Sequence, residues 1–259
     1  MTLGLSRGVL ELKQFIRTRE YLVFTLLFPM IIVVIFGAVF KGTVGGVPFT
    51  QYFVTGMIAS GLLATSFQNL AIQIPIERDR GVLKRLLGTP MPRGAYFVGK
   101  VVMVLVVGVV ETVVLLAIAV AFYGLRLPTD PVRWLTFAWV GLLGITACTL
   151  AGVAFSSLAR TGRGAPAVVT PVALVLQFTS GVFFVYTAIP AWMQQVAAVF
   201  PLKWMCQGMR SVFLPDSFAA REAAGSWELG RVALVLAGWC VLGLILCLLT
   251  FRWTTKRDG

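Results

Sequence analysis

Histidine is absent from this chain of 259 residues. That removes the commonest general base of side-chain catalysis and the commonest metal ligand. Charge is scarce too: Asp, Glu, Lys and Arg make up 12% of the residues, about half the share of a soluble domain. The four cysteines, Cys148, Cys206, Cys240 and Cys247, form no CxxC pair, and three of them lie inside apolar runs. Neither a disulfide framework nor a zinc site is suggested. No G-x-x-x-x-G-K-[ST] phosphate cradle exists, and no lysine is even followed by serine or threonine. Any ATP chemistry of that type must come from a separate chain.

Apolar residues are what the sequence has instead. They make up 58% of it, and the mean hydropathy is +0.90, which places the chain in the membrane class. The net charge of +12 does not point to nucleic acid, because there is too little polar surface to carry a basic binding face. A bilayer core of about 30 Å needs roughly 20 apolar residues in a helix. Six runs qualify, near 21–40, 52–74, 101–123, 134–155, 165–186 and 232–251. The first is too long for a signal peptide, and no small-residue cleavage pattern follows it. With both termini inside, the cytoplasmic segments hold 15 Lys and Arg and the outer ones 7, the bias expected of inner loops.

Two segments are apolar without reading as spans. Pro190, Pro201 and Pro215 cut 189–216 into pieces too short to cross. Two short helices dipping in from the outer face and returning fit better, within an outer segment 187–231. At the N-terminus, Leu5, Val9, Leu12 and Ile16 share one helical face while Arg7, Glu11, Gln14 and Arg17 occupy others. That pattern describes an amphipathic helix over 1–20 lying in the inner interface, or else a cytosolic contact helix. The expected fold is therefore all-α: one polytopic membrane domain over 1–259, with six transmembrane helices, an interface helix and a re-entrant hairpin before the last span.

Charge gathers in one place, 75–100, between the second and third runs. Glu77 and Asp79 are followed or flanked by Arg78, Arg80, Lys84, Arg85, Arg93 and Lys100. Val82, Leu83, Leu86 and Leu87 fall on one face of a short helix, with Lys84 and Arg85 opposite and Gly88 and Pro90 as a stop. The two acids sit where a helix N-terminus would favour them. Such a helix either docks a partner or lies on lipid headgroups.

The stretch "ERDRGVLKRLLGTPMPRGAYFVGK" resembles the segment E-R-x-x-G-x-L-x-x-L-x-x-T-P that marks the type-2 ATP-binding-cassette (ABC) exporter permeases. "FPMIIVVIFGAVF", "QYFVTGM" and "SGVFFVYTAIPAWMQQVAAVFPLKWMCQGMR" are similar to other parts of that family, most of all to its daunorubicin-resistance-like, drug-efflux branch. The resemblance implies a permease subunit of the inner (plasma) membrane that pairs with a second copy, a homodimer being favoured. Each copy would dock one ATPase subunit, and the ATP and Mg would be bound there and not on this chain. The docking residues it implies are Glu77, Arg78, Asp79, Arg80, Gly81, Leu83, Lys84, Leu86 and Leu87, with the N-terminal helix framing the groove. Export of lipid-linked glycan or lipid instead of a drug is an alternative, and an ion-coupled secondary transporter a weaker one.

Polar residues inside spans ask for partners. The second run carries Thr65, Ser66, Gln68, Asn69 and Gln73, and the fifth Gln177, Thr179 and Ser180. Ser66, Gln68, Asn69, Gln73, Gln177 and Ser180 are candidates for a substrate path, near the seam where the resemblance places one. Interhelical hydrogen bonding is the competing reading. Glu111 is the only acid deep in a span, either a proton or cation site or a structural hydrogen bond. Gly144, Cys148 and Gly152, four residues apart, mark a close helix contact.

Overall fold

The computed structural model describes residues 2–251 and 253, with side chains throughout except at 2, 19–22, 24, 26 and 93. The chain runs as α1 (Thr2–Arg17), α2 (Arg19–Val39), a two-stranded hairpin of β1 (Thr43–Val44) and β2 (Val47–Pro48), then α3 (Phe49–Leu63). A π turn, Ala64–Gln68, joins α3 to α4 (Asn69–Asp79). Next come α5 (Val82–Leu87), α6 (Arg93–Tyr123), α7 (Pro131–Phe155), α8 (Ala165–Thr179), α9 (Ala191–Val199), α10 (Pro201–Phe213) and α11 (Leu229–Thr250).

Among the described residues, four helices are long and apolar enough to cross a membrane. They are the continuous rod Phe49–Asp79, Gly94–Tyr123, Pro131–Phe155 and Leu229–Thr250. Two apolar helices are shorter, Leu27–Val39 and Ala165–Thr179. The run expected over 165–186 thus ends early: 15 residues reach only about 22 Å at ~1.5 Å each. The break has a local cause. Gly181 takes a left-handed φ of 79°, and its carbonyl accepts a 2.6 Å hydrogen bond from Arg210 instead of a helical one. The second run, by contrast, continues past Pro75 to Asp79, since a helix packed among neighbours tolerates proline.

α7 and α11 run in the same direction. Cys240 Sγ lies 3.6 Å from the Leu143 carbonyl, Cys247 Sγ 3.0 Å from that of Leu150, and Thr250 Oγ1 3.5 Å from that of Ala154. The small-residue stripe of α7 does what its spacing suggests. Gly144 faces Met205 of α10, Cys148 Sγ is 3.7 Å from Met205 Sδ, and Gly152 abuts the Phe67 backbone.

The segment 189–214 forms two short helices, each entered at a proline: Pro190 caps α9, and Pro201 opens α10. Their junction reaches the middle of α11, where Trp239 Nε1 donates to the Val199 carbonyl at 2.7 Å. Every residue of α10 is buried. Its Arg210, 1% exposed, pairs with Glu222 at 3.2 Å and lies over the Tyr52 ring at 4.3 Å. Lys203 stacks 3.5 Å above Trp204.

α1 packs on α6 with an unexpected face. Gly4 meets Val98 and Gly8 meets Val102, and Glu11 is buried beside Lys100. Leu5, Val9 and Ile16 of the apolar stripe stay exposed, while Leu12 is half-buried against the core. Glycines at four-residue spacing let two helices approach; the larger apolar residues are left for the surroundings.

Candidate functional site

The charged segment is built from the end of one long helix and the start of the next. Glu77 lies in the last turns of α4, not at the N-terminus of α5, so the expected dipole role of the two acids does not hold. Its carboxylate is buried and accepts hydrogen bonds from Lys100 Nζ on its Oε1 and from the Tyr96 hydroxyl on its Oε2, the latter at 2.8 Å. Lys100 also donates to Glu11 Oε2 at 2.8 Å, and Arg7 reaches Glu11 Oε1 at 2.7 Å. Two acids and two bases thus join α1, α4 and α6. Buried ions persist only when paired in this way, because each unpaired one costs several kcal/mol.

Arg78 and Asp79 are fixed to another neighbour. An Arg78 guanidinium N–H donates to the Ser156 carbonyl at 2.7 Å, and Asp79 Oδ2 accepts from the Gly162 amide at 2.5 Å. Both partners lie in the loop between α7 and α8. Gly81 then turns the chain with a φ of 68°, and α5 begins. Leu83 is 0% exposed, packed into the chain's own core, and Leu86 is half-buried against it. Leu83 therefore faces inward here, not toward a partner. What α5 and its flanks present outward is Asp79, Arg80, Lys84, Arg85 and Leu87. That face has three basic residues, one acid and one apolar residue.

The path candidates do not form a single lining. Asn69 and Gln73 line a 300 Å³ cavity between α1, α4 and α6, together with Gln14, Glu77 and Lys100. Ser66 is buried in the π turn and its hydroxyl donates back to the Leu62 carbonyl. Gln68 is half-buried. Gln177 and Ser180 are buried on α8 and just beyond it, outside that cavity. Ser180 Oγ has no hydrogen-bond partner among the described residues, and Thr179 bonds within its own helix to Val175 at 2.9 Å.

Glu111 is 2% exposed. Its Oε2 accepts from Thr65 Oγ1 at 2.5 Å, in the π turn. Its Oε1 rests against Gly61, with no hydrogen-bond donor among the described residues. π turns in helices concentrate at functional positions, and this one is tied to the single deep acid.

The cluster of Glu11, Tyr96 and Lys100 was not foreseeable from the apolar stripe of α1. One signal did exist: Gly4, Gly8 and Glu11 share a face, small and then charged, opposite the greasy one. A helix seldom leaves two glycines on one side unless another helix presses there.

The apolar rods and the charge-fixed helix ends are those of a helical, multi-pass membrane protein. The ABC-2 type transporter profile matches residues 9–214, and the chain belongs to that family, as a membrane permease component of an ABC transporter. The inner membrane transport permease YadH of Escherichia coli (strain K12) is 27% identical over 188 residues, covering 70% of each chain. The permease of the same name in Shigella flexneri matches to the same extent. Family membership implies partnership with an ATPase subunit.

Proposed function

We propose that this chain is the membrane-spanning subunit of an ATP-driven exporter of drugs, antibiotics or similar amphipathic small molecules. Two copies pair, and each docks one ATPase subunit, which binds ATP and Mg, through the segment Glu77–Leu87. The observation that carries this reading is the fixing of the motif segment. Glu77 is tied to α1 and α6, and Arg78 and Asp79 to the loop after α7, so a push on α5 reaches three elements at once. Arg80, Lys84, Arg85 and Leu87 form the contact face, and an acidic groove on the ATPase complements them. Both termini are cytoplasmic, following the excess of basic residues. α2 and α8 complete six crossings, and α9 with α10 forms a re-entrant hairpin reaching the mid-depth of α11. The drug-efflux branch rests on the resemblance of the motif regions alone.

The test is co-purification with an ABC-type ATPase subunit co-expressed with this chain. The double variant Lys84→Glu/Arg85→Glu is expected to insert and stay monodisperse while losing the ATPase and ATP-dependent export. Full retention of both would overturn the docking role.

A further inference from the structure

α6 and α7 are consecutive in the chain, yet they part toward the end that carries their connecting loop. The cleft between them measures 800 Å³ and is lined by Gly108, Thr112 and Leu116 on one side and by Phe137, Gly141 and Ile145 on the other. Val109, Val113 and Leu142 of its lining are exposed, so it opens sideways, where a spanning protein meets lipid tails. Trp134 roofs it, held by a 2.9 Å hydrogen bond from its Nε1 to the Pro128 carbonyl. An indole anchored at the end of a span marks the level of the headgroups.

A second cavity, of 910 Å³, adjoins it and has a mixed lining that includes Gln51, Arg126, Asp130 and Arg133. Leu127 lines both. Its charged residues differ in how far they are already used. Arg133 bonds to the Leu214 carbonyl at 2.8 Å and to Asp216 at 3.0 Å, and Asp130 caps α7 by accepting from the Val132 amide at 2.9 Å. Arg126 is exposed, lines the same cavity and makes no hydrogen bond or ion pair with any described residue. An exposed guanidinium with no protein partner among the described residues, one residue from the rim of an apolar cleft, is suited to a phosphate attached to a hydrocarbon chain.

We infer that this cleft is a binding site for one membrane phospholipid, its acyl chain between α6 and α7 and its phosphate on Arg126. Charge and shape select that occupant: a free anion would leave the apolar cleft open, and a partner helix would leave Arg126 unanswered. The site is separate from the docking face, which lies at the other end of α6.

The experiment uses the full chain in nanodiscs of phosphatidylglycerol doped with a phosphatidylglycerol bearing a diazirine in one acyl chain. Irradiation and peptide mass spectrometry locate the adducts. Several-fold more label is expected on the cleft residues of α6 and α7 than on the exposed Leu234, Val241 and Leu248 of α11. Ala138→Trp or Ala121→Trp, both lining the cleft and exposed, should remove that excess. Arg126→Glu should lower it, while a diazirine diacylglycerol lacking phosphate labels wild type and Arg126→Glu alike. Size exclusion confirms that each variant scored is folded, and two filling variants guard against the loss of one. Uniform labelling of the lipid-facing helices would overturn the site. Cleft labelling that withstands the filling variants, or that is unchanged in Arg126→Glu, would do the same.

Discussion

Gly152 of α7 sits directly on the main-chain carbonyl of Phe67. A side-chain carbon at 152 would come within 2.7 Å of that oxygen and 2.9 Å of the Phe67 α-carbon. Both are backbone atoms of the π turn, which cannot swivel aside. Gly152→Ala is therefore expected to destabilise the protein by about 1–3 kcal/mol, the usual cost of overpacking. Gly238→Ala, on a helix position with open space around it, should stay within about 0.5 kcal/mol. Thermal unfolding of the two variants in one detergent compares them.

Lys100→Met leaves the carboxylates of Glu77 and Glu11 buried without their shared cation. Breaking a buried pair from one side costs about 3–5 kcal/mol, so low yield and a large fall in melting temperature are expected. Adding Glu77→Gln should recover part of that loss, because one of the stranded charges is gone. Strict additivity of the two variants would show that Lys100 and Glu77 do not act as a pair.

Leu83 and Leu87 separate folding from docking. Leu83→Asp puts a charge into the core and should abolish folded protein, since the site is 0% exposed. Leu87, 38% exposed, tolerates aspartate as a surface change, and Leu87→Asp should reduce ATPase co-purification with the melting temperature little altered. A normal yield of Leu83→Asp would contradict the packing of α5.

Glu111→Gln keeps an oxygen for Thr65 to donate to. ATP-dependent export is expected to stay near normal, measured in sealed vesicles with any proton gradient collapsed, with a stability change of about 1 kcal/mol or less. Loss of export from an assembled Glu111→Gln complex would assign the carboxylate a direct part in transport.

Orientation is checked with single cysteines in a background free of the native four. Thr89→Cys, beyond α5, should react with an impermeant thiol reagent only from the cytoplasmic side, and Thr129→Cys, before α7, only from outside. Both positions are exposed. The reverse pattern would invert the topology.

The long apolar runs at 101–123, 134–155 and 232–251 were legible because nothing but length and hydropathy is needed to write a spanning helix. The end of the fifth run was not. Val182–Val185 continue the apolar pattern, while the helix stops because Gly181 turns left-handed and Arg210 takes its carbonyl. That partner lies 29 residues away, and hydropathy carries no record of it. The charged segment is legible in its composition but not in its details. Glu77 and Asp79 look like the opening of a helix when only near neighbours count. Their actual partners come from Tyr96, Lys100 and Gly162, which local pattern does not reveal. The inward turn of Leu83 is of the same kind, since four apolar residues on one face do not say which side is covered.

α7 and α11 meet through groups that repeat in step: Cys240 and Cys247 are seven residues apart, as are the carbonyls of Leu143 and Leu150 that they face. Two helices running the same way with contacts in matching register behave like the rails of one track. They can tilt together but not slide, because a shift by one turn would take every thiol off its carbonyl at once. The same track carries the hairpin tip, fastened at Trp239. The rod Phe49–Asp79 is held to the same track, because the backbone of its π turn presses on Gly152 of α7.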